Sequence, residues 1–133
     1  MATVFTKIIQ GELPGRMIYE DELAAAFLTI EPVGPGHTLV VPKAEIDHWL
    51  DLPQETAQHL FSLAQKIGQA IKAAFDPPRV GMMIAGFEVA HTHLHVFPAA
   101  SLEDFSPQAI NHDASIQELD DAAQKLRRAF EEL

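Results

Sequence analysis

The chain has 133 residues, of which 47% are hydrophobic, so it is typical of one folded domain spanning 1–133 and not of a disordered chain. Nine basic and 19 acidic side chains give a net charge of −10, which argues against nucleic acid as a partner because such binding needs a basic surface. The chain has no cysteine, which excludes disulfides and thiolate metal sites and favours a reducing, cytoplasmic location, and its apolar runs are too short to cross a membrane.

The first half of the chain predicts one short helix followed by three strands. Residues 4–10 favour a helix, and 17–30 contain two β-forming runs around a polar break, which indicates a hairpin. The segment EPVGPG at 31–36 predicts a rigid loop, because its prolines fix φ and its glycines permit positive φ. The β-branched run TLVV at 38–41 then predicts a buried strand.

The second half predicts a long helix, two strands and a C-terminal helix. Apolar residues at spacings of three and four indicate the long helix over about 53–75, with Asp51 as its N-cap. Residues 79–85 and 88–97 favour strands, and an S-x-x-E capping box at Ser115 begins a helix that runs to about residue 131. This order of elements favours an α+β fold with an antiparallel sheet.

Three histidines alternate with other residues in the segment HTHLHVFP at 91–98. Successive side chains of a strand point to opposite faces, so we expect His91, His93 and His95 to share one face. The opposite face is expected to pack against the long helix. It carries Thr92, Leu94 and Val96.

Two kinds of chemistry fit three imidazoles in a row. They could bind zinc as a catalytic three-histidine site, with Glu88 as a carboxylate that orients one ligand. They could instead supply a nucleophile flanked by hydrogen-bond donors that hold an anionic group. The spacing does not decide between the two. His37 is a fourth candidate, because it follows the rigid loop at the start of a strand.

These segments resemble the histidine triad (HIT) family. Its signature, His-φ-His-φ-His-φ-φ with φ apolar, occurs here as HTHLHVF at 91–97. The opening FTKIIQGELP and the run IYEDELAAAFLTIEPVGPGHTLVVPK at 18–43 are similar as well. The resemblance covers about 3–98 in order and leaves 99–133 as a C-terminal extension.

The resemblance implies a fold, an activity and a partner. The fold is α+β and HIT-like, with a five-stranded antiparallel sheet, one long helix and a C-terminal helix. Many members are homodimers whose sheets join into one ten-stranded sheet. Members bind nucleotides and hydrolyse or transfer a nucleoside monophosphate from P–N, phosphoanhydride or related bonds. The resemblance implies no metal and no cofactor at the reacting centre.

The resemblance also implies a role for each histidine. His93 would be the nucleophile that becomes a nucleotidyl-histidine and then releases the nucleotide to water. His91 and His95 would contact the phosphate oxygens and the leaving group, and the His37 imidazole would lie beside His91. Relatives build an apolar base pocket, which would select purine nucleotides with little discrimination between adenine and guanine. The corresponding residues here are Ile8, Phe27, Leu28 and Ile30.

Several positions depart from the family pattern. Thr29 stands where relatives often place Asp or Asn on the ribose hydroxyls, and Phe87, beside Glu88, stands at the usual position of a phosphate-binding Gln. We expect Thr29, Phe87 and Glu88 to contact the substrate. Because the usual ribose-binding and phosphate-binding side chains are replaced, an alternative is a nucleotide-binding protein with weak or lost catalysis. The structural zinc of many bacterial members should be missing, because three of its ligand positions hold other side chains. They are Thr3, Thr6 and Glu45.

Overall fold

The structure, a computed structural model, describes residues 2–133 and consists of one sheet with helices on both faces. The five strands are β1 (Met17–Glu20), β2 (Ala24–Leu28), β3 (Thr38–Pro42), β4 (Arg79–Met83) and β5 (Leu94–Ala99). The three α-helices are α1 (Val4–Ile9), α2 (Gln54–Phe75) and α3 (Ile116–Glu131). Short 3-10 helices lie at Trp49–Asp51, Leu102–Phe105 and Pro107–Ala109. No helix in this part of the chain is long and apolar enough to span a membrane.

The strands pair in the order β1-β2-β3-β5-β4, and every neighbouring pair is antiparallel. This order confirms the α+β fold with an antiparallel sheet and the predicted hairpin of β1 and β2. β3 and β5 are neighbours although α2 and β4 separate them in the chain. Leu39 of β3 therefore lies opposite His95 of β5, which brings the start of β3 beside the histidine segment.

The alternation of side chains along the strands gives the sheet two buried faces. One face packs against α2, whose Ile67 and Ile71 have 0% exposure. Each such aliphatic side chain stabilises the fold by about 2 kcal/mol through burial. Leu94 and Val96 of β5 pack on this face, as the alternation of the motif predicts. The other face packs against α1 through Phe5, and the histidines lie on this side.

The helix ends follow the sequence signals with one exception. Asp51 is not the N-cap of α2, because it lies in the preceding 3-10 turn, and Pro53 occupies the cap position without a side-chain bond. α2 ends at Asp76, whose φ of 48° is left-handed, just before two prolines. The predicted cap of α3 is confirmed, since Ser115 Oγ accepts the Glu118 N–H at 3.0 Å.

The segment 100–114, which follows β5 and contains two 3-10 helices, folds back across the end of the sheet. Its first 3-10 helix places Phe105 against Phe97 of β5, with the ring centroids 4.9 Å apart. The Asn111 N–H donates to the Pro32 carbonyl at 2.8 Å, which ties the segment to the proline–glycine loop before β3. The region after β5 therefore forms one wall of the space in front of the histidines.

Candidate active site

The three alternating histidines lie partly outside the strand predicted to carry them. β5 begins one residue before His95, so the predicted strand over 88–97 is wrong for its first half. The reason lies in the neighbouring strand, because Pro42 at the end of β3 has no N–H to donate to a further ladder position. The Thr92 N–H bonds instead to the Ile46 carbonyl at 2.7 Å. The backbone before β5 is therefore held by the loop that follows β3.

His93 lies directly before β5 and faces a cavity. Its Nδ1 is 2.8 Å from the His91 carbonyl oxygen, which can only accept, so Nδ1 carries the proton and the neutral ring has a lone pair on Nε2. Within residues 2–133 every fully buried side-chain nitrogen has a hydrogen-bond partner and this Nε2 has none, so it is open to the cavity. The Phe5 ring packs 4.9 Å from the imidazole. An unprotonated nitrogen facing a cavity is what an imidazole nucleophile requires.

His37 and His95 form a hydrogen-bonded pair beside His93. His37 Nε2 lies 3.0 Å from His95 Nδ1, and the His93 and His95 ring centroids are 5.0 Å apart. The Val33 N–H donates to His37 Nδ1 at 3.1 Å, so the proton of a neutral His37 must sit on Nε2. His37 therefore donates to His95 Nδ1, which leaves the His95 proton on Nε2. This chain of bonds leaves His95 with an N–H donor, and His95 lines the same cavity as His93.

Burial keeps the His37–His95 pair neutral. Desolvation, with a smaller effect of the neighbouring His95 charge, lowers the pKa of His37 to about 3. Desolvation, with a smaller effect of His93, lowers the pKa of His95 to about 4. Both rings are therefore neutral near pH 7, which sets the direction of each hydrogen bond. A neutral His95 retains an N–H that can donate a hydrogen bond into the cavity.

His91 does not line the cavity. Its ring is fully buried, with Nε2 2.7 Å from the Pro42 carbonyl oxygen and Nδ1 2.6 Å from Thr3 Oγ1. Both nitrogens are engaged, so this arrangement does not form the phosphate contact expected of His91. The expectation that His37 lies beside His91 is wrong, because the pairing of β3 with β5 places His37 next to His95.

The cavity in front of His93 and His95 has a volume of about 270 Å³. The proline–glycine loop before β3, the loop after β4 and the 3-10 helices after β5 form its walls. Three acidic residues line it, Glu31, Glu88 and Asp104, and its lining contains no Lys or Arg. The Glu31 carboxylate also pairs with His112, and the Asp104 carboxylate accepts the Ala100 N–H. This negative rim disfavours substrates with many phosphates and favours a neutral or cationic group at the mouth.

Three of the expected substrate residues line this cavity, namely Thr29, Phe87 and Glu88. Thr29 lies on the wall formed by the end of β2. Phe87 lies at the mouth in the loop after β4, with 94% of its surface exposed. The structure thus brings these side chains together with His93 and His95, and their contacts with a substrate stay a prediction.

The four residues expected to form the base pocket do not line the histidine cavity. Phe27 is 1% exposed and packs against Phe5 in the core on the α1 face, where Ile8 also packs. Leu28 belongs to the core on the α2 face, and Ile30 is 67% exposed. Phe27 and Leu28 lie on different faces because successive strand residues point to opposite sides of the sheet. The base-pocket role of these four residues stays a prediction.

The cavity contains residues that sequence reasoning missed. The segment after β5 contributes Phe105, Ser106 and Ile110, and the loop before β3 contributes Val33. The sequence signal in this segment is the S-x-x-D pattern at Ser101, which forms a capping box and predicts a turn but no function. The cavity wall exists only because the segment folds back onto β5.

A larger cleft of about 550 Å³ lies on the other side of the proline–glycine loop. Leu28 and Phe75 line it, together with Lys125 of α3. His37 lines this larger cleft as well as the smaller cavity. Of the two, His93 and His95 line only the smaller cavity. We therefore place the chemistry in the smaller cavity.

The residues at the expected zinc position do not fit that metal. Thr3 and Thr6 offer hydroxyls, whereas zinc in proteins is bound by thiolate, imidazole and carboxylate. Both nitrogens of His91 are already hydrogen-bonded. Across residues 2–133 no group of three or more His, Cys, Asp or Glu side chains is arranged to hold a metal ion. The three-histidine zinc hypothesis is disfavoured on the same geometry, because His91 points away from His93 and His95.

Comparison with known proteins finds one family. Residues 10–102 match the HIT domain. The chain is 39% identical over 100 residues to Protein hit of Bacillus subtilis (strain 168). This match covers 71% of the present chain and 69% of Protein hit. It is 33% identical over 98 residues to adenosine 5′-monophosphoramidase HNT1 of Saccharomyces cerevisiae, covering 73% of this chain and 62% of that protein.

One solved structure shows how far the fold is shared. It is a Zn-bound histidine triad family protein from Mycobacterium smegmatis, with a TM-score of 0.83 and 30% sequence identity. The match covers 99% of this chain and 95% of the other. The HIT domain match spans both the loop that holds His37 and the segment that holds the other three histidines.

Proposed function

The chain belongs to the histidine triad (HIT) family, and we propose that it is a nucleotide-binding hydrolase or transferase that removes a nucleoside monophosphate from a P–N or phosphoanhydride-type bond. The observation that carries the proposal is the His93 Nε2 lone pair, which is open to a cavity that His95, an N–H donor, also lines. The yeast relative, a monophosphoramidase, supports phosphoramidates as substrates.

In the first step His93 Nε2 attacks the α-phosphorus of the nucleotide. The Nε2–P bond forms while the bond to the leaving group breaks, and that electron pair departs with the leaving group, which takes a proton from water. The His93 Nδ1–H keeps donating to the His91 carbonyl, so the positive charge of the nucleotidyl-imidazolium faces a carbonyl oxygen. The His95 Nε2–H donates to a phosphate oxygen and stabilises the charge of the transition state.

In the second step a water molecule attacks the same phosphorus. The Nε2–P bond breaks and its electron pair returns to Nε2 of His93. The water gives up a proton to solvent, and the nucleoside monophosphate leaves. A different acceptor in place of water would make the same chemistry a transfer.

The charge of the cavity selects among leaving groups. Glu31, Glu88 and Asp104 surround the site without a Lys or Arg in the lining. A leaving group that carries further phosphates would meet like charge, which costs binding energy. A neutral amine leaving group would not be repelled by these carboxylates, and a protonated amine would be attracted to them. We therefore favour phosphoramidates over dinucleoside polyphosphates.

The expected result is a preference for an amine leaving group. At low salt, kcat/KM for adenosine 5′-phosphoramidate should exceed that for a diadenosine polyphosphate by roughly 100-fold, and salt should narrow the ratio by screening. The double variant Glu31→Gln/Glu88→Gln should also narrow it. Glu12→Gln, an exposed change outside the cavity, is the control and should leave the ratio alone. Equal kcat/KM for the two substrates would contradict this preference.

We further propose that the protein is a homodimer. β4 is an edge strand and exposes Met82 and Met83, which have 42% and 36% exposure. An open apolar edge pairs readily with another strand, and pairing of two β4 edges would join the sheets of two copies.

Sedimentation should give about twice the mass of the 14.7 kDa chain. Met82→Lys should shift the protein to monomer, because it places a charge on the edge. Ile116→Lys, at another exposed apolar residue, should leave the dimer intact. A monomer at every concentration would rule the dimer out.

A nucleotide-binding protein with weak catalysis is the second candidate. The observation that favours it is Phe87, an exposed phenyl ring at the cavity, where the family resemblance implies an amide side chain. In that case a nucleotide substrate should bind and raise the melting temperature of the protein, but no nucleoside monophosphate should be released from it.

A further inference from the structure

The N-cap of α1 is bonded to the histidine that precedes the nucleophile. Thr3 Oγ1 lies 2.6 Å from His91 Nδ1. Because His91 Nε2 must donate to the Pro42 carbonyl at 2.7 Å, the neutral ring accepts at Nδ1 and the Thr3 hydroxyl donates. The same hydroxyl accepts the Thr6 N–H at 3.2 Å, and the Glu45 carboxylate accepts the Thr3 N–H at 3.2 Å. Thr3 is therefore held from three sides.

Two contacts lead from this network to the nucleophile. The His91 carbonyl accepts the His93 Nδ1–H at 2.8 Å, which sets the His93 tautomer. Phe5 follows Thr3 by two residues and packs against both rings, with centroid distances of 5.6 Å to His91 and 4.9 Å to His93. A displacement of His91 together with its backbone, or a shift of α1, would therefore disturb the carbonyl and the phenyl ring that hold the His93 imidazole.

We propose that Thr3 is a positioning residue for the reaction: its hydroxyl fixes His91, and through the His91 carbonyl and Phe5 it keeps His93 Nε2 open to the cavity. The proposal rests on the nucleophilic role of His93 proposed above. The family resemblance places a structural zinc near Thr3 and Thr6 in many relatives, and their hydroxyls do not suit that metal. Hydrogen bonds from Thr3 hold His91 in its place.

The first test compares Thr3→Val with Thr3→Ser on adenosine 5′-phosphoramidate. Valine keeps the shape but removes the hydroxyl, so kcat should fall by roughly 10- to 100-fold, as for other residues that orient a reacting group, while KM stays the same. Serine keeps the hydroxyl and should restore most of kcat. Equal kcat for Thr3→Val and the unchanged protein would overturn the proposal, and so would an equal loss in Thr3→Ser.

A second variant separates the bond to His91 from the capping of α1. Thr3→Asp keeps an acceptor for the Thr6 N–H, so the helix cap is retained, but a carboxylate cannot donate to a neutral His91 Nδ1. It should lose kcat although α1 stays folded. Ser115→Ala removes the matching cap from α3, outside the cavity of His93 and His95, and should leave kcat unchanged. Full activity of Thr3→Asp would show that only capping matters.

A spectroscopic signature tests the proposal without any turnover. Nitrogen-15 NMR at mildly alkaline pH should show His93 with its proton on Nδ1 in the unchanged protein and in Thr3→Ser. In Thr3→Val the signals should move toward the Nε2–H tautomer that a free histidine side chain prefers. An unchanged His93 tautomer in Thr3→Val would overturn the proposal. An inactive wild-type protein in which the tautomer still responds to Thr3 would instead overturn the proposed function alone.

Discussion

Replacing His93 with alanine should lower the release of nucleoside monophosphate by roughly 10⁴-fold or more, because no other group can form the covalent intermediate. In the neutral His93 ring, Nε2 carries the lone pair, has no hydrogen-bond partner and is open to the cavity. His95 cannot replace it, since its Nδ1 accepts from His37 and its Nε2 carries the proton. The measurement is kcat/KM on adenosine 5′-phosphoramidate.

Two controls sharpen this result. His48→Ala changes an exposed histidine outside the cavity and should leave kcat/KM unchanged. His93→Gly opens a space of imidazole size, so added imidazole should recover part of the lost rate. Retention of more than a few per cent of the activity in His93→Ala, at unchanged substrate affinity, would exclude His93 as the nucleophile.

Removal of the His95 donor should be the second largest effect. His95→Ala should lower kcat by roughly 10²- to 10³-fold with a smaller change in KM, as expected when one donor to a developing oxyanion is lost from a dry site. His37→Ala should lower kcat by roughly tenfold, because His95 stays in place but loses the bond that sets its tautomer. Steady-state kinetics of both variants measures the two effects.

The double variant His37→Ala/His95→Ala tests whether the pair acts as a unit. It should be no slower than His95→Ala alone, because His37 works only through His95. Multiplication of the two single effects would contradict the chain of bonds that runs from the Val33 N–H through His37 to His95. It would assign His37 an independent contact with the substrate.

The regular elements were predictable wherever a pattern is local. The apolar stripe of α2 and the cap at Ser115 depend on residues three and four apart, and both are confirmed. The start of β5 was not predictable from its own residues. It depends on Pro42, a residue of β3 that lacks the donor for a further ladder bond.

The spacing of the histidines was enough to predict that they are functional residues. It did not predict their tautomers or their hydrogen-bond partners. The tautomer of His93 depends on the His91 carbonyl, and that of His37 on the Val33 N–H. These are backbone groups, and the type of a residue does not reveal which side chain its backbone will contact. The partner of His37 was assigned wrongly because it depends on the register of β3 and β5, which the sequence does not give.

A nucleotidyl group on His93 is the central expectation, and a single turnover tests it most directly. Chelator-treated protein is mixed with adenosine 5′-phosphoramidate and denatured during the first turnover. The protein is then digested, and the masses of its peptides are measured by mass spectrometry. The peptide that contains His93 should carry one adenylyl group, which forms as the amine leaves and decays as AMP appears. AMP release without this adduct, or release that returns only when zinc is restored, would contradict nucleophilic attack by His93.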